Sequence, residues 1–77
     1  MTGQEQVKKQ LKEDLEKINM RLQTLDMIED RLLKMKKLAQ RVVDEDLTDK
    51  EIEEINKQVQ DLGEQVKLLD SEPTKLS

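Results

Sequence analysis

The stretch DEDLTDKEI, residues 44–52, decides the fold because it carries several signals for the start of a helix. Thr48 is a typical N-cap residue, and Glu51 three positions later completes a capping box. Leu47 precedes the cap and Ile52 is the fourth helical residue, which is the spacing of a hydrophobic staple. The acidic residues that follow the cap also suit the positive end of a helix dipole. The sequence therefore predicts that the chain turns here and starts a new helix.

Apolar residues on the two sides of this turn form mirrored stripes. Steps of three and four residues alternate in both stripes, and each mirrored pair of positions adds up to 94. Two stripes of this period meet layer by layer when a helix doubles back on another. We therefore predict an all-α fold, an antiparallel helical hairpin that is coiled-coil-like. The predicted hairpin seam consists of Leu25, Ile28, Leu32, Met35, Ala39, Val42, Ile52, Ile55, Val59, Leu62, Val66 and Leu69.

We expect a single helical domain over residues 1–77. No proline or glycine falls between Gln4 and Val43, so the first helix is predicted to be long. Pro73 ends any helix that reaches it, and the residues around it are expected to be disordered. The predicted organisation is a first helix at 4–43, a turn at 44–48, a second helix at 49–70 and a disordered tail at 71–77.

The first half of the long helix carries a further apolar stripe. Two successive steps of three, from Leu22 to Leu25 and from Leu25 to Ile28, indicate a phase slip that rotates the apolar face. Either the helix continues straight through this point, or it breaks near residues 23–26 and the chain forms a three-helix bundle. We favour the continuous helix because no glycine, proline or asparagine marks a turn there. The stripe consists of Val7, Leu11, Leu15, Ile18 and Leu22.

This stripe has no counterpart inside the predicted hairpin, and exposed apolar stripes of this length usually mark an interface. Twelve seam side chains are also few for a stable hairpin, so a partner is expected. We predict that these five residues form an interaction surface. The expected partner is a second copy, which gives a dimeric four-helix bundle, or another helical protein.

The composition is typical of long helices and coiled coils, with 42% charged residues and no aromatic residue. The chain has no histidine and no cysteine, which removes the commonest general base, thiol nucleophile and transition-metal ligands. We therefore expect a non-enzymatic protein without metal, cofactor or small-molecule substrate. No apolar run is long enough to span a membrane and no signal-peptide region is present, so we expect a cytoplasmic location, with signal-less export left open.

A small dimeric nucleic-acid-binding regulator is the alternative function. The net charge of −4 and the absence of aromatic residues for base stacking argue against it. A salt-dependent electrophoretic shift with RNA or DNA would distinguish the two functions. The basic face that such a regulator would use consists of Lys8, Lys9, Lys12, Lys34, Lys37 and Arg41.

Three segments together resemble the N-terminal helical segment of bacterial flagellin. They are LLKMKKLA at residues 32–39, LTDKE at 47–51 and INKQVQDL at 55–62, within an ungapped match over about residues 32–66. Lys37 departs from this pattern, since the family usually has glutamate there, and the long C-terminal helices of flagellin have no counterpart. The resemblance implies a helical hairpin that docks against further helices, rather than a filament subunit.

Overall fold

Two helices, each preceded by a threonine cap, make up residues 2–71, which are the residues that the computed structural model describes. Helix α1 is Gly3–Asp44 and helix α2 is Asp49–Asp70. At 1.5 Å per residue the 42 residues of α1 span about 63 Å, which accounts for most of the 68 Å length of the molecule. The helices pack against each other and the described residues contain no strand, which confirms the all-α hairpin.

The helix bounds differ little from the prediction. The link between the helices covers residues 45–48, because α1 continues through Asp44. Of the predicted disordered tail, only Ser71 belongs to the described residues, where it is a turn residue at the end of α2. The rest of that predicted tail lies outside the described residues.

The start of α2 contains the capping box that the sequence indicates. The backbone N–H of Glu51 donates to Oγ1 of Thr48 over 3.2 Å, and the N–H of Thr48 donates to Oε1 of Glu51 over 3.1 Å. Two backbone donors that a helix start leaves without partners are therefore satisfied. Leu47 before the cap is half-buried, whereas Ile52 stays 38% exposed.

The link turns without glycine. Glu45 ends α1 in an extended conformation, and its N–H still donates to the carbonyl of Arg41 over 2.9 Å. Nε of Arg41 donates back to Oε2 of Glu45 over 3.1 Å, so a basic side chain lies at the negative end of the helix dipole. Since the cap residue is extended, the link does not need the left-handed conformation that favours glycine at many helix ends.

Helix α1 is continuous through the position where a break was the alternative. Thr24 lies within α1 and is only 7% exposed, and its hydroxyl donates to the carbonyl of Met20 over 3.1 Å. This hydrogen bond within the helix satisfies the hydroxyl, so a polar side chain can be buried here. The three-helix alternative, with a break near residues 23–26, is therefore wrong for this structure.

The face that α1 turns towards α2 differs from the predicted seam. Leu25, Leu32, Ala39 and Val42 are exposed, at 43% and 49% for the two leucines and 36% for Val42. The buried and half-buried positions instead follow one another at steps of four and three, rotated by about one residue around the helix. They are Thr24, Ile28, Arg31, Met35 and Leu38.

This rotated face tolerates an arginine because the guanidinium has partners. Nε of Arg31 donates to Oε1 of Gln65 on α2 over 3.0 Å, and Nη1 donates to Oδ2 of Asp30 over 2.7 Å. The aliphatic part of an arginine can cover apolar surface while its charged end stays in water. Thr24 and Arg31 on α1 thus take part in the contact with α2 that the sequence pattern assigned to Leu25 and Leu32.

Helix α2 uses the predicted stripe except at its first position. Ile55 is 5% exposed, and it is the one large apolar side chain in residues 2–71 that is buried. Val59, Leu62, Val66 and Leu69 are half-buried, whereas the predicted seam residue Ile52 is exposed.

At the end of the hairpin opposite the link, Arg21 of α1 lies beside Asp70, the last residue of α2. The distance between Nη2 and Oδ1 is 3.6 Å. Residues 3–20 of α1 extend past this point. We call these 18 residues the overhang; at 1.5 Å per residue they are about 27 Å long.

Candidate interaction site on the first helix

The predicted interaction surface lies on the overhang and at its junction with the hairpin, and the structure leaves it exposed. The exposed fractions of its side chains lie between 41% and 61%. No element of the described chain covers them, since α2 ends opposite Arg21. The surface consists of Val7, Leu11, Leu15, Ile18 and Leu22.

This surface continues onto the hairpin without a phase slip. From Leu11 the heptad positions follow at alternating steps of four and three, through Leu22 and Leu25 to Glu29 and Leu32. The interpretation of a slip at Leu22–Leu25–Ile28 is wrong, because it joined two different faces of α1. We call the whole row the α1 stripe; its exposed apolar members are Val7, Leu11, Leu15, Ile18, Leu22, Leu25 and Leu32.

Leu25 and Leu32 therefore belong to the exposed surface, although sequence reasoning placed them in the hairpin seam. The heptad spacing could have assigned them, because Leu25 and Leu32 continue the steps of four and three that begin at Leu11. Glu29 occupies one of its positions and hides the continuation, since a charged residue in an apolar row looks like the end of that row.

An apolar groove between the two helices lies beside the distal part of the stripe. Ala39 lines this groove and lies seven residues after Leu32, so both are on the same side of α1. Val42, Ile52 and Val59 provide further apolar lining, and Asp49, Glu53 and Asn56 add polar groups from α2. The stripe and the groove together form one extended apolar face of the molecule.

The groove on the other side of the hairpin is different in character. Lys34 and Lys37 from α1 and Gln58, Asp61 and Gln65 from α2 surround Leu38 and Leu62 there. Its lining side chains are mainly polar, which is typical of a solvated helix boundary. The apolar face is therefore one-sided.

The hairpin has very little interior of its own. Fourteen large apolar side chains among the described residues are at least 36% exposed, against the single buried Ile55. Scattered apolar side chains are normal on a protein surface, but a contiguous row is uncommon on a monomer. Nine of the fourteen belong to the stripe or line the groove beside it, and this contiguous part of the exposure indicates a docking surface, whereas Met20 and Met27 lie on the far side of α1.

Charged side chains on α1 form local pairs. Oδ2 of Asp30 accepts from Nζ of Lys34 over 3.1 Å and from Nη1 of Arg31 over 2.7 Å. The hydrogen bond from Lys34, together with that from Arg31, lowers the pKa of the Asp30 carboxyl below its usual range. These contacts are exposed and contribute little stability.

The basic face of the alternative function is partly engaged by the chain itself. Lys34 pairs with Asp30, and Arg41 pairs with Glu45. Each pair neutralises a cation that phosphate binding would require, and phosphate contacts provide most of the affinity of non-specific nucleic-acid binding. The structure thus offers a weaker basic face than the count of lysines and arginines suggests.

The comparisons with known protein families, with curated proteins and with solved structures found no match for this chain. The resemblance to flagellin therefore stays a prediction. No helix within residues 2–71 combines the length and the apolar character that a membrane crossing requires. In the same residues, no three carboxylates are grouped so that they could share a metal ion.

Proposed function

We propose that this protein is a non-enzymatic helical interaction module that self-associates through the α1 stripe. Two hairpins joined along their first helices would form a four-helix dimer. The row of exposed apolar side chains from Val7 to Leu32 is the single observation that carries this proposal. Burying such a row against a second apolar row is favourable by roughly 25 cal/mol for each Å² of apolar surface removed from water.

The small interior of the hairpin supports the same function. With Ile55 as the one buried apolar side chain in the described residues, the hairpin gains little burial by itself. The overhang gains none from α2, and most of the stability of helices in proteins comes from tertiary packing. Association would supply the missing burial to both parts. The flagellin resemblance of residues 32–66 agrees with a hairpin that docks on further helices.

Sedimentation of the wild type, of a stripe variant and of a matched control variant tests the proposal. The wild type is expected to be a dimer at tens of micromolar. Leu11→Asp with Ile18→Asp places two charges in the stripe, and it should give a monomer whose hairpin stays helical by circular dichroism. A monomeric, cooperatively folded wild type would contradict the proposed self-association.

The matched control is Gln6→Asp with Met20→Asp, which adds the same two negative charges to the overhang. Both positions lie on the far side of α1 from the stripe, and Met20 is itself an exposed apolar residue. This variant should remain a dimer. If it dissociated as readily as the stripe variant, added charge in general, and not the stripe, would govern association.

A further inference from the structure

We propose that the overhang of each copy lies along the stripe and the apolar groove of the other copy's hairpin, in an antiparallel dimer whose two α1 helices overlap along their whole length. This inference rests on the proposed self-association and specifies its geometry. The alternative within a dimer is that the two overhangs cover only each other. Length and apolar coverage distinguish these two arrangements, and charge distinguishes the full overlap from an intermediate register.

Heptad spacing allows only a few registers. In an antiparallel pair, facing residues of the two copies have numbers with a constant sum, and stripe positions face stripe positions when that sum is 26, 33, 40, 47 or 54, at intervals of seven. The sum of 47 overlaps all of α1, because its first and last residues are 3 and 44. The sum of 33 overlaps residues 3–30 alone and corresponds to overhang against overhang.

The full overlap covers the exposed apolar residues of the hairpin as well as those of the overhang. Leu22 of one copy faces Leu25 of the other, and Leu15 faces Leu32. Each contact occurs twice by symmetry, so these four leucine positions place eight side chains in the apolar section between the two α1 helices. Overhang against overhang would leave Leu32 and the groove uncovered, although both are exposed in the single chain.

In this register the first residues of one copy's overhang also lie at the apolar groove of the other copy. Lys8 faces Ala39 of the other copy, whose groove is lined by Asp49 and Glu53. The lysine stem can lie on apolar lining while its ammonium reaches these carboxylates. Val7, next to Lys8, is then placed near the exposed Ile52. Apolar and charged groups of the overhang thus both find complements.

The two charged residues that interrupt the stripe provide an independent argument. With the sum of 47, Glu29 faces Ile18 of the other copy and has Arg21 one turn further along that helix. Lys36 faces Leu11 and has Asp14 one turn further along. Each interruption therefore has an opposite charge one turn further along, and a like charge one turn back, which is Asp14 for Glu29 and Lys8 for Lys36.

The intermediate register lacks the opposite charge for Lys36. With the sum of 40, Lys36 faces Gln4 and has Lys8 one turn further along and no carboxylate one turn away, whereas Glu29 meets both Asp14 and Lys8. Like charges facing each other across a helix pair disfavour that arrangement and help to select another. The charge pattern thus favours the register that overlaps the whole of α1.

Engineered cysteines test the register, because the chain has none of its own. The variant Leu15→Cys with Leu32→Cys should form a covalent dimer under mild oxidation, since disulfides need Cα atoms within about 7 Å. Within one helix these positions are about 26 Å apart, so no bond can form inside one chain. Leu11→Cys with Leu22→Cys reports the overhang-only register, and Glu13→Cys with Met27→Cys on the far face measures collisional background.

We expect the first pair to cross-link several times faster than the other two. Faster cross-linking of the second pair, or rates for the first pair at background, would overturn this geometry while a dimeric wild type still supports the proposed function. A monomeric wild type would instead contradict self-association itself.

A charge exchange gives a second measurement that needs no cysteine. Asp14→Lys should weaken the dimer about two- to tenfold in Kd, because residue 14 lies one turn from the residue that faces Lys36, twice in the symmetric pair, and exposed ion pairs contribute modestly. Adding Lys36→Asp should restore the affinity, whereas adding Lys34→Asp, off the stripe, should not. Equal effects of the two second substitutions would contradict the register.

Discussion

Arg21 forms an ion pair with Asp70, with 3.6 Å between Nη2 and Oδ1, and Asp70 is the last residue of α2. The pair thus locates the point on α1 beyond which α2 provides no cover. The side chain of Asp70 is 70% exposed, so the pair marks the boundary without contributing much stability. Within residues 2–71, no segment outside the overhang itself covers residues 3–20.

Stability of the hairpin should depend on Ile55 far more than on Leu32. On the monomeric Leu11→Asp, Ile18→Asp background, Ile55→Ala should lower the free energy of unfolding by about 2–5 kcal/mol, as expected for a buried large-to-small change. Leu32→Ala on that background should cost about 1 kcal/mol or less, because half of that side chain already contacts water. Urea unfolding measures both, and similar losses would contradict the observed packing face.

The capping box should contribute measurably to the start of α2. Thr48→Ala removes the acceptor for the N–H of Glu51, and it should destabilise the chain by about 1 kcal/mol. Glu51→Ala should act in the same direction because it removes the reciprocal bond to the N–H of Thr48. Amide exchange of residues 49–51 should accelerate in both variants; unchanged exchange in both would show that the box is not needed.

The same box predicts a dependence on pH. The hydrogen bond from the Thr48 backbone N–H, and next that from its hydroxyl, lower the pKa of Glu51 below its usual value of 4.5. The folded chain therefore favours the carboxylate, so this stabilisation is complete above pH 4.5 and is lost as the pH falls through the lowered pKa. Glu51→Gln keeps an acceptor that does not titrate.

We therefore expect the urea midpoint of the wild type to fall more than that of Glu51→Gln between about pH 7 and about pH 3. The other carboxylates are common to both chains, so their contributions cancel in this comparison. Equal losses of stability in the two chains would contradict a lowered pKa at Glu51.

The sequence predicts α2 better than it predicts the face of α1, and the reason is physical. Helix α2 has one apolar stripe, so Ile55, Val59 and their successors have only one way to face a partner helix. Helix α1 has two overlapping apolar rows, and periodicity alone does not say which one contacts α2. Local hydrogen bonds at Thr24 and Arg31 make the more polar row acceptable in the hairpin, and no spacing rule indicates that.

This ambiguity also explains which residues of the interaction site could be identified from the sequence and which were missed. The five residues on the overhang and at its junction with the hairpin were identified because they had no mirrored partner in the sequence. Leu25 and Leu32 were missed because they also fit a mirrored stripe, so the pattern assigned them to the seam. Their assignment to the exposed stripe requires the exposed fractions of the folded chain.

Amide hydrogen exchange of the wild type at two concentrations tests the central claim most directly, because it reports both association and its location. At tens of micromolar, residues 3–20 should be protected about as well as the hairpin. After dilution below the dissociation constant, protection of residues 3–20 should fall, since a helix end without tertiary contacts opens more readily than a packed one, while residues in the hairpin retain theirs. Overhang protection that is equal at both concentrations, in a chain that sedimentation shows to be monomeric, would contradict the account.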